Sequence, residues 1–122
     1  MNILEPQYID LGCWKDTGDR AIPTLEGKDP ILDGDFRERT DGIKKCSEAA
    51  RKRGYAVFAV QNGVWCASSS DAESTYAKYG ASDECRPNGE GGRLANRVYQ
   101  QEIQSMFVKN NNHAIQVLIK TN

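Results

Sequence analysis

The stretch KCSEAARKRGYAVFAVQNGVWCASS, residues 45–69, decides the fold: helical spacing in its first half gives way to a hairpin pattern in its second, and each half holds one cysteine. Thr40 or Asp41 offers the side-chain oxygen that a helix N-cap needs. Gly54, following the basic Arg51, Lys52 and Arg53, is a C-terminal stop that suits the helix dipole. The helix is therefore predicted over about residues 42–53. Ile43, Cys46, Ala49, Ala50 and Arg53 share one face at three- and four-residue spacing, with the arginine where that face meets water. Small residues make this face narrow, so it can approach a sheet closely. Residues 55–60 alternate branched or aromatic side chains with alanine. Asn62-Gly63 supplies the positive φ angles of a tight turn before Val64, Trp65 and Cys66. With helix and hairpin back to back, Cys46 and Cys66 come within bonding reach, and a bond closing that loop contributes about 3 kcal/mol.

Outward from this centre, residues 7–16 read as a first strand with Tyr8, Leu11, Cys13 and Trp14 available for burial, ending at a turn-prone Asp16, Thr17, Gly18, Asp19. Arg20, Ala21 and Ile22 read as a second extended piece. Residues 23–41 read as a long, polar surface loop punctuated by Pro23, Gly27, Pro30 and Gly34. After the hairpin, Ser70-Asp71-Ala72-Glu73 has the form of a capping box, predicting a short helix through Lys78 that stops at Gly80. Residues 83–92 are turn-rich and hold Cys85, and residues 94–100 read as a strand returning to the first. Two apolar runs around an Asn-rich turn at residues 110–112 then predict a C-terminal hairpin. The fold class is accordingly α+β: a small disulfide-bonded domain with an antiparallel sheet packed on one main helix, a second short helix, and the added hairpin.

A chain of 122 residues with 39% hydrophobic content supports one domain; two would each be too small for a core. Sixteen basic against seventeen acidic residues give a net charge of -1, which supplies no electrostatic attraction to nucleic acid or to an anionic membrane. No run of eighteen apolar residues is present to span a bilayer, and MNILEPQYIDLG lacks the basic-then-apolar profile of a secretory signal. Cys13, Cys46, Cys66 and Cys85 form an even set without a CxxC pair or clustered histidines. That favours two disulfides over zinc and an extracellular or secreted setting over a reducing one, the alternative being four buried thiols. There is no Asn-x-Ser/Thr sequon.

The order of these parts resembles the WSC domain, the cysteine-rich module of fungal cell-surface stress sensors, polycystins and the Kremen receptors. The resemblance covers about residues 8–100 and is carried by YIDLGCWKDTGDRAI at the start, KKCSEAARKRGYAVFAVQNGVWCAS in the middle, and DEC followed by GEGGRLANRVYQ at the end. Such domains usually carry eight cysteines, with CxxxC on the helix and CxC on the following strand. Here Ala50 and Ser68 stand at the second position of each, so a whole bridge is absent. A further cysteine pair expected between Cys85 and the final strand is also missing. The pairing that the resemblance implies is Cys13 with Cys85 and Cys46 with Cys66. It places the WSC-like domain at residues 1–100 and leaves residues 101–122 as an extension. Ile103, Phe107, Val108, Ile115, Val117, Leu118 and Ile119 of that extension are available to pack on the same domain in place of the lost bridges, or to pair with another subunit in a homo-oligomer.

The resemblance also implies carbohydrate binding, which needs aromatic faces for sugar C–H groups beside planar polar side chains for hydroxyls. One candidate group is Trp65, Gln61 and Asn62 at the hairpin turn with Asp71, Tyr76 and Tyr79. A second is Trp14, Lys15, Asp16, Asp19 and Arg20 with Arg93 and Asn96. Taken singly, Trp14 and Trp65 each adjoin a cysteine and read as core packed on a disulfide, and Asn62-Gly63 is explained by turn geometry. Asp29, Asp33 and Asp35 lack the spacing of a calcium loop and read as a solvated acidic turn. His113 is the one histidine, and no nucleophile motif accompanies it. The chain reads as a glycan-binding, lectin-like protein without catalysis or cofactor, the alternative being an extracellular protein-interaction module or a matrix component.

Overall fold

The computed structural model of the chain describes residues 7–102 in full, and the backbone of residues 105–110 and 113–118. Strands β1 (Tyr8–Lys15), β2 (Val57–Gly63), β3 (Trp65–Ser68) and β4 (Gly91–Gln101) form one antiparallel sheet in the order β1-β4-β2-β3. The returning strand β4 pairs with β1 as the sequence predicts, and it also pairs with β2, so it sits inside the sheet. Helix α1 (Gly42–Lys52) lies between β1 and β2 in the chain, and the short α2 (Ala72–Thr75) follows β3.

Helix α1 ends as its sequence dictates. Gly54 adopts φ +76, its N–H donates to the Arg51 carbonyl at 2.9 Å, and Tyr55 N–H donates to the Ala50 carbonyl at 3.0 Å. This is a Schellman stop, and it delays the following strand, which begins at Val57 rather than Tyr55 because Tyr55 still belongs to the helix end. The N-terminus differs from expectation. Asp41 is the N-cap residue but takes a left-handed backbone (φ 51) and makes no side-chain capping bond. That backbone lets Gly42 enter beneath Val64: a Cβ on Gly42 would lie 2.4 Å from Val64 Cβ. Close approach of the helix start to the hairpin takes the place of a cap.

The sheet is covered on both faces. On one, Cys46, Ala49 and Ala50 of α1 pack with Phe58, Val60, Cys66 and Tyr99, joined by Leu25 and Leu32. Phe58 and Tyr99 stack with centroids 5.3 Å apart, and Tyr8 meets both edge-on. On the other face Val57, Ala59, Ala67 and Val98 are covered by Ala21, Ile22 and Ala72. Phe58 and Val60 therefore face the helix while Val57 and Ala59 face away, the period-2 arrangement that the alternation in residues 55–60 encodes. Cys46 and Cys66 are bonded across the first face with Cα atoms 5.4 Å apart, and Cys13 is bonded to Cys85 with Cα atoms 5.9 Å apart.

Three local expectations are corrected. Arg20, Ala21 and Ile22 do not form a strand; Ala21 and Ile22 are bends, and the Asp16 carboxylate accepts from Ala21 N–H at 2.8 Å and folds the chain back. Residues 23–41 are not a wholly exposed loop. They hold two 3-10 turns (Pro30–Leu32 and Phe36–Glu38) and bury Leu25, Asp29 and Leu32. Their start also seals the outer edge of β3, where Ser68 N–H donates to the Pro23 carbonyl and Leu25 N–H to the Cys66 carbonyl, each at 3.0 Å. Finally, α2 is a single turn with no side-chain cap. Its N-cap residue is Asp71, not the Ser70 that the box at residues 70–73 requires, and the Asp71 carboxylate accepts from Ser69 Oγ at 2.8 Å instead of from a backbone N–H. The chain then runs in turns to Gly80 at φ +88.

Strands β5 (Ser105–Asn110) and β6 (His113–Leu118) pair antiparallel as a separate two-stranded sheet, with Asn110 opposite His113. The C-terminal hairpin that the two runs predict thus forms. The turn residues 111–112, the side chain of His113 and the apolar side chains of the extension lie outside the described residues. Among the described residues no helix is long and apolar enough to cross a membrane.

Candidate functional site

Strand geometry sorts the predicted site residues. Successive side chains of a strand point to opposite faces, so Trp65 and Cys66 part company: Cys66 enters the core under α1, whereas Trp65 packs on the opposite face. Neither tryptophan is core packed on its neighbouring disulfide. Trp14 and Trp65 are half-buried on the rim of the second core together with Tyr76 and Tyr79. Trp14 meets Tyr76 edge-on at 5.3 Å, and its Nε1 donates to the Leu11 carbonyl at 3.0 Å. Tyr79 donates its hydroxyl to the Asp19 carbonyl at 2.6 Å, with Lys78 Nζ 5.0 Å from its ring centroid.

Beneath this rim lies a buried polar network. Asp16, with no side-chain exposure, accepts from Gln61 Nε2 at 2.7 Å and from Arg20 Nη1 at 3.1 Å. Gln61 Nε2 also donates to Asn96 Oδ1 at 2.9 Å. The network holds the Arg20 guanidinium 4.9 Å from the Trp65 ring centroid, and cation–π attraction there supports the same placement. Gln61 and Asn96 are buried and do not reach the surface; they act as supports for Arg20 and Trp65. The two groups of candidates thus merge into one face containing Trp14, Trp65, Tyr76, Tyr79, Arg20 and Asp19. Lys15 and Arg93 are exposed and take no part in this network, and Asp71 is exposed with its carboxylate turned to Ser69.

Asn62 belongs to a different surface. It is exposed at φ 50 and, with Gly63 and Val64, lines a groove of about 320 Å³ whose other walls are Phe36, Arg37, Arg39, Arg86 and Glu90. Arg39 is almost wholly buried. Its two Nη atoms form a fork on the Glu26 carboxylate at 2.8 and 2.9 Å, and Glu26 in turn accepts from Cys66 N–H at 2.7 Å. Arg86 reaches Glu90 at 3.3 Å, and Arg37 reaches Asp35 at 3.2 Å. These arginines were hidden in stretches that read as polar loop; the only sequence signal was the pairing of Arg86 with Glu90 across Pro-Asn-Gly.

The acidic residues of the long segment do not form a cation site. Asp29 is buried, accepts from Arg53 Nη1 at 2.6 Å and Lys52 Nζ at 3.1 Å, and caps the first 3-10 turn through Ile31 N–H at 2.9 Å. Burial alone would raise its pKa, but the hydrogen bonds from Arg53, Ile31 and Lys52 prevail and hold it at about 2. Asp35 binds Arg37 N–H and side chain, which lowers its pKa, and Asp33 is exposed. No group of three or more His, Cys, Asp or Glu suited to a metal occurs among the described residues.

Fold and site together define a class: a small α+β domain with two disulfides, whose sheet carries a half-buried aromatic rim on the face opposite its main helix. Compared with protein-family models, with curated proteins and with solved structures, the chain matches none of them.

Proposed function

We propose that this chain is a non-catalytic carbohydrate-binding module, organised like a WSC domain with a reduced cysteine set, that works outside the cell. The observation that carries this reading is that Trp14, Trp65, Tyr76 and Tyr79, all half-buried, pack against one core on the same face of the sheet, Trp14 against Tyr76 at one edge and Trp65 beside Arg20 at the other. Aromatic rings held by packing stack on sugar C–H faces with little loss of conformational entropy. The guanidinium and carboxylate beside them supply directional bonds to hydroxyls, and Arg20 retains Nε and Nη2 without a partner among the described residues. An extracellular setting fits the two disulfides, which persist where thiols are not kept reduced. A shallow rim of this kind gives a weak single site, so useful avidity comes from multivalency, for which the C-terminal hairpin is the candidate assembly element.

A glycan-array screen of the oxidised protein, repeated with Trp65→Ala after its fold is checked by circular dichroism, tests the reading. Selective binding that disappears in the variant supports it. A blank array, or binding that survives Trp65→Ala, Tyr76→Ala and Tyr79→Ala alike, removes it in favour of a protein-interaction module.

A further inference from the structure

The groove at the β2–β3 turn is a second site with its own chemistry. Its donors outnumber its acceptors. Arg39 is only 2% exposed and its Nη atoms are taken by Glu26 and by the Leu32 and Val64 carbonyls, yet its Nε–H has no partner. A buried N–H without an acceptor is unfavourable, and Arg39 lines the groove. Arg86 lies across the turn, close enough that a Cβ on Gly63 would come 3.0 Å from its Nη1. Its carboxylate partner Glu90 stands at 3.3 Å in a solvent-exposed pair, which holds it weakly. Arg37 is in the same position with Asp35. The Asn62 amide makes no hydrogen bond to the described residues.

The three guanidinium charges are matched by Glu26, Asp35 and Glu90, so the groove exerts no net pull on a polyanion. What it offers is oriented N–H groups at short range, whose preferred partner is a single carboxylate able to replace Glu90 or Asp35 in a planar fork. The Asn62 amide remains for hydroxyls beside it. A volume of about 320 Å³ suits one small polar unit. We propose that this groove binds a uronate-type acidic sugar, its carboxylate held by Arg86 and Arg37 in place of Glu90 and its ring hydroxyls by Asn62. The inference deepens the carbohydrate-binding reading at a second site and rests on it for the saccharide half of the ligand.

Amide chemical shifts of the isotope-labelled, oxidised protein, titrated with glucuronate, glucose and acetate, test it. Saturable glucuronate shifts are expected at Asn62, Gly63 and Glu90. Loss of one charge-assisted contact in Arg86→Gln weakens them about tenfold or more. Glu90→Gln, which removes the competing carboxylate, leaves the affinity equal or higher. The proposal is overturned if glucuronate gives no saturable shift, if glucose or acetate matches it, or if Arg86→Gln binds as well as the parent. A response at Trp65 and Tyr79 to neutral sugars with a silent groove refutes this inference alone; silence at both places refutes the carbohydrate reading as well.

Discussion

Replacing Asp29 by asparagine removes a charge from the joint between residues 23–41 and the end of α1, and the size of the effect follows from the structure. The carboxylate is 4% exposed and bridges Arg53 and Lys52. Lys52 is well exposed and adds little, so Arg53 at 2.6 Å is the main partner. The asparagine side chain would keep an oxygen for Ile31 N–H and lose the charge. The pKa falls from 3.8 to about 2 on folding. At about 1.4 kcal/mol for each tenfold change in proton affinity, the ionised form contributes about 2 kcal/mol at neutral pH. Because the folded value is the depressed one, that contribution is complete well above pH 3.8 and is lost as pH falls through about 2. Urea unfolding followed by tryptophan fluorescence, disulfides intact, should therefore show Asp29→Asn less stable by about 2 kcal/mol at pH 7, with most of the gap closing between about pH 4 and pH 2. A gap that stays constant with pH would mean that the loss comes from packing or capping rather than charge, and no gap at pH 7 would refute the ion-pair account.

Gly42→Ala forces a Cβ against Val64 and is expected to cost about 1–3 kcal/mol; adding Val64→Ala should recover part of this in a double-mutant cycle of denaturation midpoints. Removing the Cys46–Cys66 bridge, which closes a separation of 20 residues, should cost about 3 kcal/mol, and removing Cys13–Cys85, which spans 72, about 4 kcal/mol, each read by urea titration of the alanine pairs. Gln101→Ala strips both partners from Ser47, whose hydroxyl and carbonyl each meet the amide at 3.0 Å, and is expected to cost about 1–3 kcal/mol in the same assay. Truncation after Glu102 leaves β4 whole; light scattering then tests the hairpin as an assembly element, since an unchanged oligomer size would remove that role.

The main helix, the hairpin and the Cys46–Cys66 pair were legible because each rests on local signals: Gly54, Asn62-Gly63, and a narrow face of Cys46, Ala49 and Ala50 that must find a sheet. What was not legible is non-local. Nothing in residues 23–41 announces that Asp29 meets Arg53 or that Arg39 meets Glu26, because such pairs form between charged residues that read singly as solvated. The start of α2 is likewise displaced: Asp71, not Ser70, is its N-cap residue, and the Asp71 carboxylate is taken by the Ser69 hydroxyl, a competition typical of short polar side chains. Of the candidate site, the residue types were readable but their grouping was not. Gln61 and Asn62 are adjacent in sequence, yet one enters the buried network under Trp65 and the other lines the groove.

The same alternation separates the tasks of the hairpin. Cys66 ties β3 to α1 on one face, and the next residue back, Trp65, emerges on the other, so the bridge fixes the ring's strand without touching the surface that the ring offers. Asp16 completes the arrangement from below. A buried carboxylate is unfavourable without partners, and this one accepts from a backbone N–H, an amide and a guanidinium. Those three bonds fold residues 16–21 over the sheet and bring Arg20 to Trp65. Trp65 is therefore held from behind, by Arg20 and the buried network that fixes it, whereas Tyr76 is placed by Trp14 and Tyr79 by its bond to Asp19.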